Sequence, residues 1–466
     1  MRRPSGAMRV GARFLPCSLL GLATLSGGFL LSGDAVATAP SPQTQPAKAR
    51  SFQYTGPGSC SSTSCHGSVR PKQETGIAQN EYSIWVVQDK HAKAFEVLSN
   101  PVSVRIARIL GLPRADTASR CLACHALHVP AAQQAKTFDP SDGVSCESCH
   151  GPAAGWLGPH TTRDWSHEKS VELGMYDTKD LIKRTEKCLT CHLGTEGKFV
   201  DHELIAAGHP DLVFELDSFS AVMPRHWKQP LEEDPWRGVR AWGTGQAVQL
   251  REALKHLARR ARGPVWPEYA ELQCFACHHD LTGPERSWRQ ERGYSGRRAG
   301  NPPWNASRYA AFRHLVHSLD PDAGRQMDTD LSALAELMSR LEVDRNTVAA
   351  RASGAAQTAD RLAHRISQLP FDGPMTLRLL RRITADADAI AGEGERAAEQ
   401  AAMALDSLFI AYTRNARVGN AEEVRVAING LFRQLESPSG YNPKRFARQM
   451  RSVSALLRSS RGGADD

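Results

Sequence analysis

Cys121-Leu122-Ala123-Cys124-His125 is matched in form by three later runs, Cys146-Glu147-Ser148-Cys149-His150, Cys188-Leu189-Thr190-Cys191-His192 and Cys274-Phe275-Ala276-Cys277-His278. One turn of chain brings two thiols and an imidazole around a single edge, which is the arrangement that attaches a c-type haem. The thiols add across its two vinyl groups and the histidine supplies the proximal nitrogen to iron. A lone Cys-x-x-Cys is equally a redox disulfide or half of a zinc site. Zinc gives no reason for histidine in the same slot four times. Cys60-Ser61-Ser62-Thr63-Ser64-Cys65-His66 is the irregular member, with four residues between its cysteines. Its longer loop can bulge while Cys65-His66 keeps the usual relation, so it reads as a fifth attachment site. A Cys60–Cys65 disulfide is the alternative, and the haem count then falls to four.

The rest of the composition is consistent with an exported chain. Residues 1–39 read as a signal peptide: Arg2, Arg3, Arg9 and Arg13 precede the apolar run Phe14 to Leu31, and Ala37-Thr38-Ala39 supplies small residues for cleavage. An uncleaved anchor is the other reading of that run. Cleavage would remove Cys17, so that every remaining cysteine lies in an attachment motif. It would also remove four arginines and Asp34, lowering the formal charge from +8 to +5. Ten haem propionates would turn that into about -5. A modest basic excess without an aromatic-basic motif argues against nucleic acid as a partner. The expected location is the periplasm or another extracytoplasmic compartment, with any membrane association made through a partner.

Seventeen histidines leave twelve beyond the five proximal ones, His66, His125, His150, His192 and His278. A second axial imidazole favours rapid low-spin electron transfer, whereas an absent one leaves iron open. His91 ends a helical stretch from Glu81, and His160 closes Gly158-Pro159-His160. His202 and His209 are seven apart and could share a helical face, although Gly208 and Pro210 put His209 at a helix end. His226 sits in Met223-Pro224-Arg225-His226-Trp227. These five are the candidate distal ligands. His128 and His279 lie too close to their own motifs to reach the far face of the same haem. His314 and His317, on a helix expected over 306–319, are further candidates for the fifth haem, and His167, His256 and His364 carry no signal.

The stretch from Cys60 to His192 resembles the cytochrome c554 family, tetrahaem proteins that accept electrons from hydroxylamine oxidoreductase. The residues that carry the resemblance are Trp85 with His91-Ala92-Lys93-Ala94, Cys121 to His125, Gly143-Val144-Ser145-Cys146 through His150-Gly151-Pro152, His160, and Cys188 to His192. It implies haems packed in stacked and edge-on pairs within a mostly helical, irregular fold. It also implies that His91 is the distal ligand of the His150 haem, that His160 is that of the His66 haem, and that the His125 iron lacks a strong sixth ligand. The widened first motif, the site at His278 and the long chain beyond it depart from the family pattern.

The fold expected is mainly α, a multihaem cytochrome with an irregular haem-packed core and a C-terminal helical bundle. Residues 40–58 form a flexible lead-in, 59–320 the pentahaem domain, 321–460 a helical domain and 461–466 a disordered tail. Helices are expected over 246–260 and 306–319. Four or five more follow from the spacing of Leu331, Leu334, Leu337 and Leu341, of Leu362, Ile366 and Leu369, and from the runs 375–389, 401–412, 421–435 and 443–457. The bundle suits support of the haem domain, self-association, or docking of a partner subunit. The function expected is single-electron transfer between redox proteins. An oxidoreductase acting on a small nitrogen or sulfur compound at one open haem is the enzymatic alternative, and a structural or docking subunit of a respiratory complex the third.

Overall fold

The computed structural model describes residues 52–72, 76–227, 234–274, 277–278, 303–340, 342–437 and 440–459. The expected signal peptide with Cys17, most of the lead-in, the Pro/Gly/Arg-rich stretch 283–303 up to residue 302, Leu341, His279 and the tail lie outside them. The described chain is mainly α-helical, and its β content is confined to isolated bridges such as Tyr54 with Gln134 and Leu272 with Trp304. Among the described residues no helix is long and apolar enough to cross a membrane.

The first part of the chain is short-helical. α1 (Glu81–Gln88) and α2 (Pro101–Ile109) precede two helices that end on attachment motifs, α3 (Ser119–His125) and α4 (Cys146–His150). After α5 (His167–Glu172), α6 (Leu181–His192) also ends on a motif. α6 is capped by Asp180, whose side chain accepts from Lys183 N. α7 (His202–Ala206) is likewise capped by Asp201, and α8 (Leu216–Val222) by Glu215.

The second part is a layered set of longer helices: α9 (Arg237–Arg262), α10 (Ser307–Ala310), α11 (Phe312–Leu319), α12 (Pro321–Met338), α13 (Arg345–Ser367), α14 (Gly373–Ala385), α15 (Ala387–Gly392), α16 (Glu395–Asn415), α17 (Ala421–Arg433) and α18 (Pro443–Ser459). α9 starts nine residues earlier than the periodicity predicts. Its extra turns are held by burial of Val239, Ala241 and Trp242 rather than by propensity, since Gly243 and Gly245 lie inside it. The helix expected over 306–319 is broken at Ala311, and that over 375–389 at Asp386. Leu369 falls beyond the end of α13.

α9 is the axis of the assembly. It packs along α13 and also touches α6, α8 and α16. The two glycines make this approach close: a Cβ on Gly243 would come 2.8 Å from Leu315 Cδ2, and one on Gly245 would come 2.7 Å from Leu216 Cβ. One apolar core runs without a break from Leu181 and Leu189 on α6, through Trp242 and Leu254, to Leu457 on α18. The boundary expected at residue 320 therefore does not coincide with a gap in the core. The described residues all belong to one compact unit. A buried ion cluster reinforces the junction, with Arg251 of α9 only 3% exposed and bound to Glu186 of α6 at 2.5 Å, Glu252 at 2.8 Å and Asp360 of α13 at 2.5 Å.

Replacing Gly245 by alanine tests this close approach. Alanine should gain up to about 1 kcal/mol in helix propensity, against about 1–3 kcal/mol for overpacking on a carbon next to the α8 backbone. Net destabilisation is expected in chemical denaturation followed by circular dichroism, and a net gain would show that α8 yields freely.

Candidate functional site

From Phe52 to Asp180 the apolar interior is sparse. Its buried clusters are small: Leu98, Ala107 and Ala115 in one, and Ile106 with Leu204 and Ala207 in another. What the segment brings together instead is histidine. Each of the five proximal rings faces a second imidazole: His66 faces His160 with ring centres 6.2 Å apart, His192 faces His91 at 6.2 Å, and His125 faces His209 at 6.3 Å. His150 faces His226 at 6.5 Å, and His278 faces His202 at 6.1 Å. Two imidazoles bound through Nε2 to opposite sides of one metal, each at about 2 Å with its ring centre about 1.1 Å further on, would stand about 6.2 Å apart. All five separations lie close to that value, and the residues fit five bis-histidine haems.

The other ring nitrogen supports this arrangement. His66 Nδ1 lies 3.0 Å from Glu81 Oε2, and His91 Nδ1 lies 2.9 Å from Asp89 Oδ1. His125 Nδ1 donates to Ala94 O at 2.8 Å, His160 Nδ1 to Leu157 O at 2.6 Å, His209 Nδ1 to Pro210 O at 2.8 Å, and His226 Nδ1 to Pro224 O at 3.2 Å. A proton held on Nδ1 leaves the Nε2 lone pair for a metal and fixes the ring's rotation. Burial and the His226 ring push His150 down to about 4, and burial also lowers His192 and His209. These rings are neutral, as ligation requires. Hydrogen bonding to Glu81 and Asp89 instead raises His66 and His91, and the same carboxylates make those two rings the most electron-rich.

The remaining histidines have other partners. His167 Nε2 meets Asp177 at 2.8 Å, and His317 Nε2 meets Asp328 at 2.8 Å. His314 Nε2 stands 2.9 Å from Asp386 Oδ2, at ion-pair distance though without hydrogen-bond alignment. His314 and His317 are thus turned into the helical bundle, and the ring opposite His278 is His202. His128 is exposed, His256 is buried in α9, and His364 is exposed on α13.

Two pairings implied by resemblance are different here. The ring opposite His91 is His192 rather than His150, because Asp89 caps a short turn that carries His91 past α1 while Val144 N holds its carbonyl. His125 does not look onto open space but onto His209, which Gly208, at φ +114°, swings out of α7. That glycine also separates the fates of His202 and His209, which face different rings rather than sharing a face.

No disulfide joins the described cysteines, Cys60 and Cys65 among them. The Cys60 thiol is an electrostatic neighbour of Cys146, and Cys124 of Cys191, which sets the first motif beside the third and the second beside the fourth. Cys149 and Cys188 are electrostatic neighbours, linking the third motif to the fourth. Burial pushes the Cys188 thiol up to about 12. Among the described residues no three His, Cys, Asp or Glu side chains converge as a metal-ion site. Arg120, beside Cys121, binds Asp201 at 2.7 Å and Glu203 at 2.8 Å, tying the second motif to the start of α7 and so to His202.

Three residues with roles at the site were not singled out from the sequence. Asp89, two before His91, had a readable signal in its spacing. Glu81 is fifteen residues from His66 and had none. Glu147, an interior residue of the third motif, is 2% exposed. It accepts from Thr55 N at 2.9 Å, Gly56 N at 2.7 Å and Ala153 N at 2.6 Å, and so anchors the chain leading into Cys60.

The family model for cytochrome c554 and c-prime matches residues 59–151. The cytochrome c-554 of Nitrosomonas europaea is 32% identical over 119 residues, which cover 23% of this chain and 50% of that relative. The chain thus spans half the length of the curated relative it matches. No solved structure matches the chain.

Glu147→Gln should free the segment before Cys60. Each hydrogen bond to a charged group is worth about 1.5–3 kcal/mol, and the amide puts a donor where backbone N–H groups already point. Faster hydrogen exchange is expected at Thr55 and Gly56, and unchanged protection there would remove Glu147 from this role.

Proposed function

We propose that the chain is a periplasmic pentahaem c-type cytochrome that passes single electrons between redox proteins. The observation that carries this reading is the set of five facing imidazole pairs at 6.1–6.5 Å, one for each attachment motif. Cys60 and Cys65, Cys121 and Cys124, Cys146 and Cys149, Cys188 and Cys191, and Cys274 and Cys277 would hold haem covalently. His66 with His160, His125 with His209, His150 with His226, His192 with His91, and His278 with His202 would hold iron. The chemistry that haem supplies is reversible storage of one electron per iron.

The chain's own residues set the conditions for that storage. Nδ1 partners fix the imidazoles they reach, so those rings need not reorient between oxidation states. Burial keeps His150, His192 and His209 neutral. Contacts between motifs support an order His66, His150, His192, His125, His278, which is not the order along the sequence. The similarity to a cytochrome c-554 supports the same reading over residues 59–151. A histidine opposite His125 speaks against an open iron, and so against the oxidoreductase alternative. The core shared by α6, α9 and α13 supports the C-terminal helices as scaffold for the haem segment rather than as a separate docking module.

Alkaline pyridine haemochrome assay with electron paramagnetic resonance on the oxidised protein tests the proposal. Five haems per chain, all low-spin, are expected; four would remove the Cys60–His66 site, and a high-spin signal in the wild type would reopen catalysis. His209→Ala should convert one haem of the five to high spin, which fails to happen if His209 is not a ligand.

Asp89→Asn should raise the potential of one haem, since a carboxylate on Nδ1 stabilises the oxidised iron. A tenfold change in the oxidised-to-reduced ratio, about 59 mV for one electron, is the expected scale in a spectroelectrochemical titration. A fall in potential would contradict the assignment of Asp89 as the partner of His91.

A further inference from the structure

A polar cavity of about 60 Å³ lies where α9, α10 and α16 meet the segment Asp211–Val213. Its lining lies close along the chain to members of three of the histidine pairs. Leu193 in its wall follows His192, Asp211 lies two residues after His209, and Glu271 lies two after Tyr269, whose ring packs on His202 at 5.6 Å. The volume suits a carboxylate or a few waters.

Its charged side chains are unevenly paired. Arg396 is paired with Asp211 at 2.5 Å, and Arg260 is paired with Glu271. Burial, with Glu395 and Asp211 nearby, pushes Glu399 up to about 7, so this carboxyl is largely uncharged in mildly acidic solution. Arg308 remains. Among the described residues no hydrogen bond or ion pair reaches its guanidinium, its Nε is sealed from solvent without a partner, and burial lowers its pKa. Gln249, also in the wall, has a buried Oε1 with no partner; an amide turned over would present its NH2 group instead. Glu271 and Asp211 act on Arg308 electrostatically without bonding to it, opposed by Arg396 and Arg260; a sealed guanidinium nitrogen without an acceptor is costly, and a forked donor is matched in shape by a carboxylate.

We infer that Arg308, with Gln249, forms a carboxylate-binding site in this cavity, beyond the haem ligands themselves. Two sources share that chemistry: a propionate of a neighbouring haem, which rests on the haem reading above, and a free small carboxylate. In the first case Arg308 is a positioning residue that neutralises a propionate within the low-dielectric seam between the haem segment and the helical bundle. In the second the seam holds an exchangeable anion.

The holoprotein is compared with Arg308→Met, which removes the charge while filling the space, and with Arg308→Lys, which keeps the charge without the fork. Haem content by pyridine assay is measured on all three, so that failure of the haem reading is seen separately from failure of the site. If the occupant is a propionate, the wild type does not bind formate in calorimetry. One haem component of Arg308→Met then titrates lower, by about tenfold in its oxidised-to-reduced ratio or about 59 mV, because lost positive charge stabilises the oxidised form. Arg308→Lys should move the same component by less than half as much, and it decides the matter if Arg308→Met loses haem. If the occupant is a free carboxylate, the wild type binds formate at one site per chain, Arg308→Met does not, and potentials measured without formate are unchanged. Superimposable titrations for the variants, together with no formate binding by the wild type, would overturn the inference.

Discussion

Five gaps of 6.1–6.5 Å between paired imidazoles impose the constraint that the surrounding chain answers to. Each gap matches the width of a metal with two axial bonds. Holding two rings at that separation and orientation requires the rings to be fixed by the chain around them. For six of the ten rings, Glu81, Asp89, and the carbonyls of Ala94, Leu157, Pro210 and Pro224 do this through Nδ1. The irregularity of the first half follows: short helices, 3-10 turns and left-handed glycines place carbonyls and carboxylates where these rings need them.

That half of the molecule has little apolar interior of its own, and its stability is borrowed. α6 carries the fourth motif at one end and buries Leu181, Ile182 and Leu189 in the same core as α9 and α13. Arg251 secures the junction through three carboxylates. A buried cation with a full set of partners gives a defined geometry more than it gives net stability. Here that geometry sets the helix bearing Cys188, Cys191 and His192. Gly245 of α9 serves the same end by letting α8, and with it the approach to His226, come close.

The arrangement also separates two kinds of polar burial. Glu147 and Arg251 are saturated with partners and act as anchors. Arg308 and Gln249 are not, and they share one cavity. In the reading proposed above, the unpartnered Nε of Arg308 makes this cavity a place where a negatively charged group would fit.

The mainly helical class was legible in the sequence because helices repeat every few residues, and the five Cys/His motifs stood out because covalent haem attachment, as proposed, would demand cysteines and histidine at fixed local spacing. His91, His160, His202, His209 and His226 were also readable as candidates, by the excess of histidine near the motifs. Which ring faces which was decided by tertiary structure alone. His91 meets His192 from far away along the chain, and His209 meets His125 only because Gly208 turns the chain out of α7. Neither relation has a local spacing to betray it. The continuity of the core past residue 320 was hidden for the same reason: a helix's apolar face is visible in its own sequence, but the partner that covers it is chosen by packing, and α9 is covered by α13 from the far side of the expected boundary.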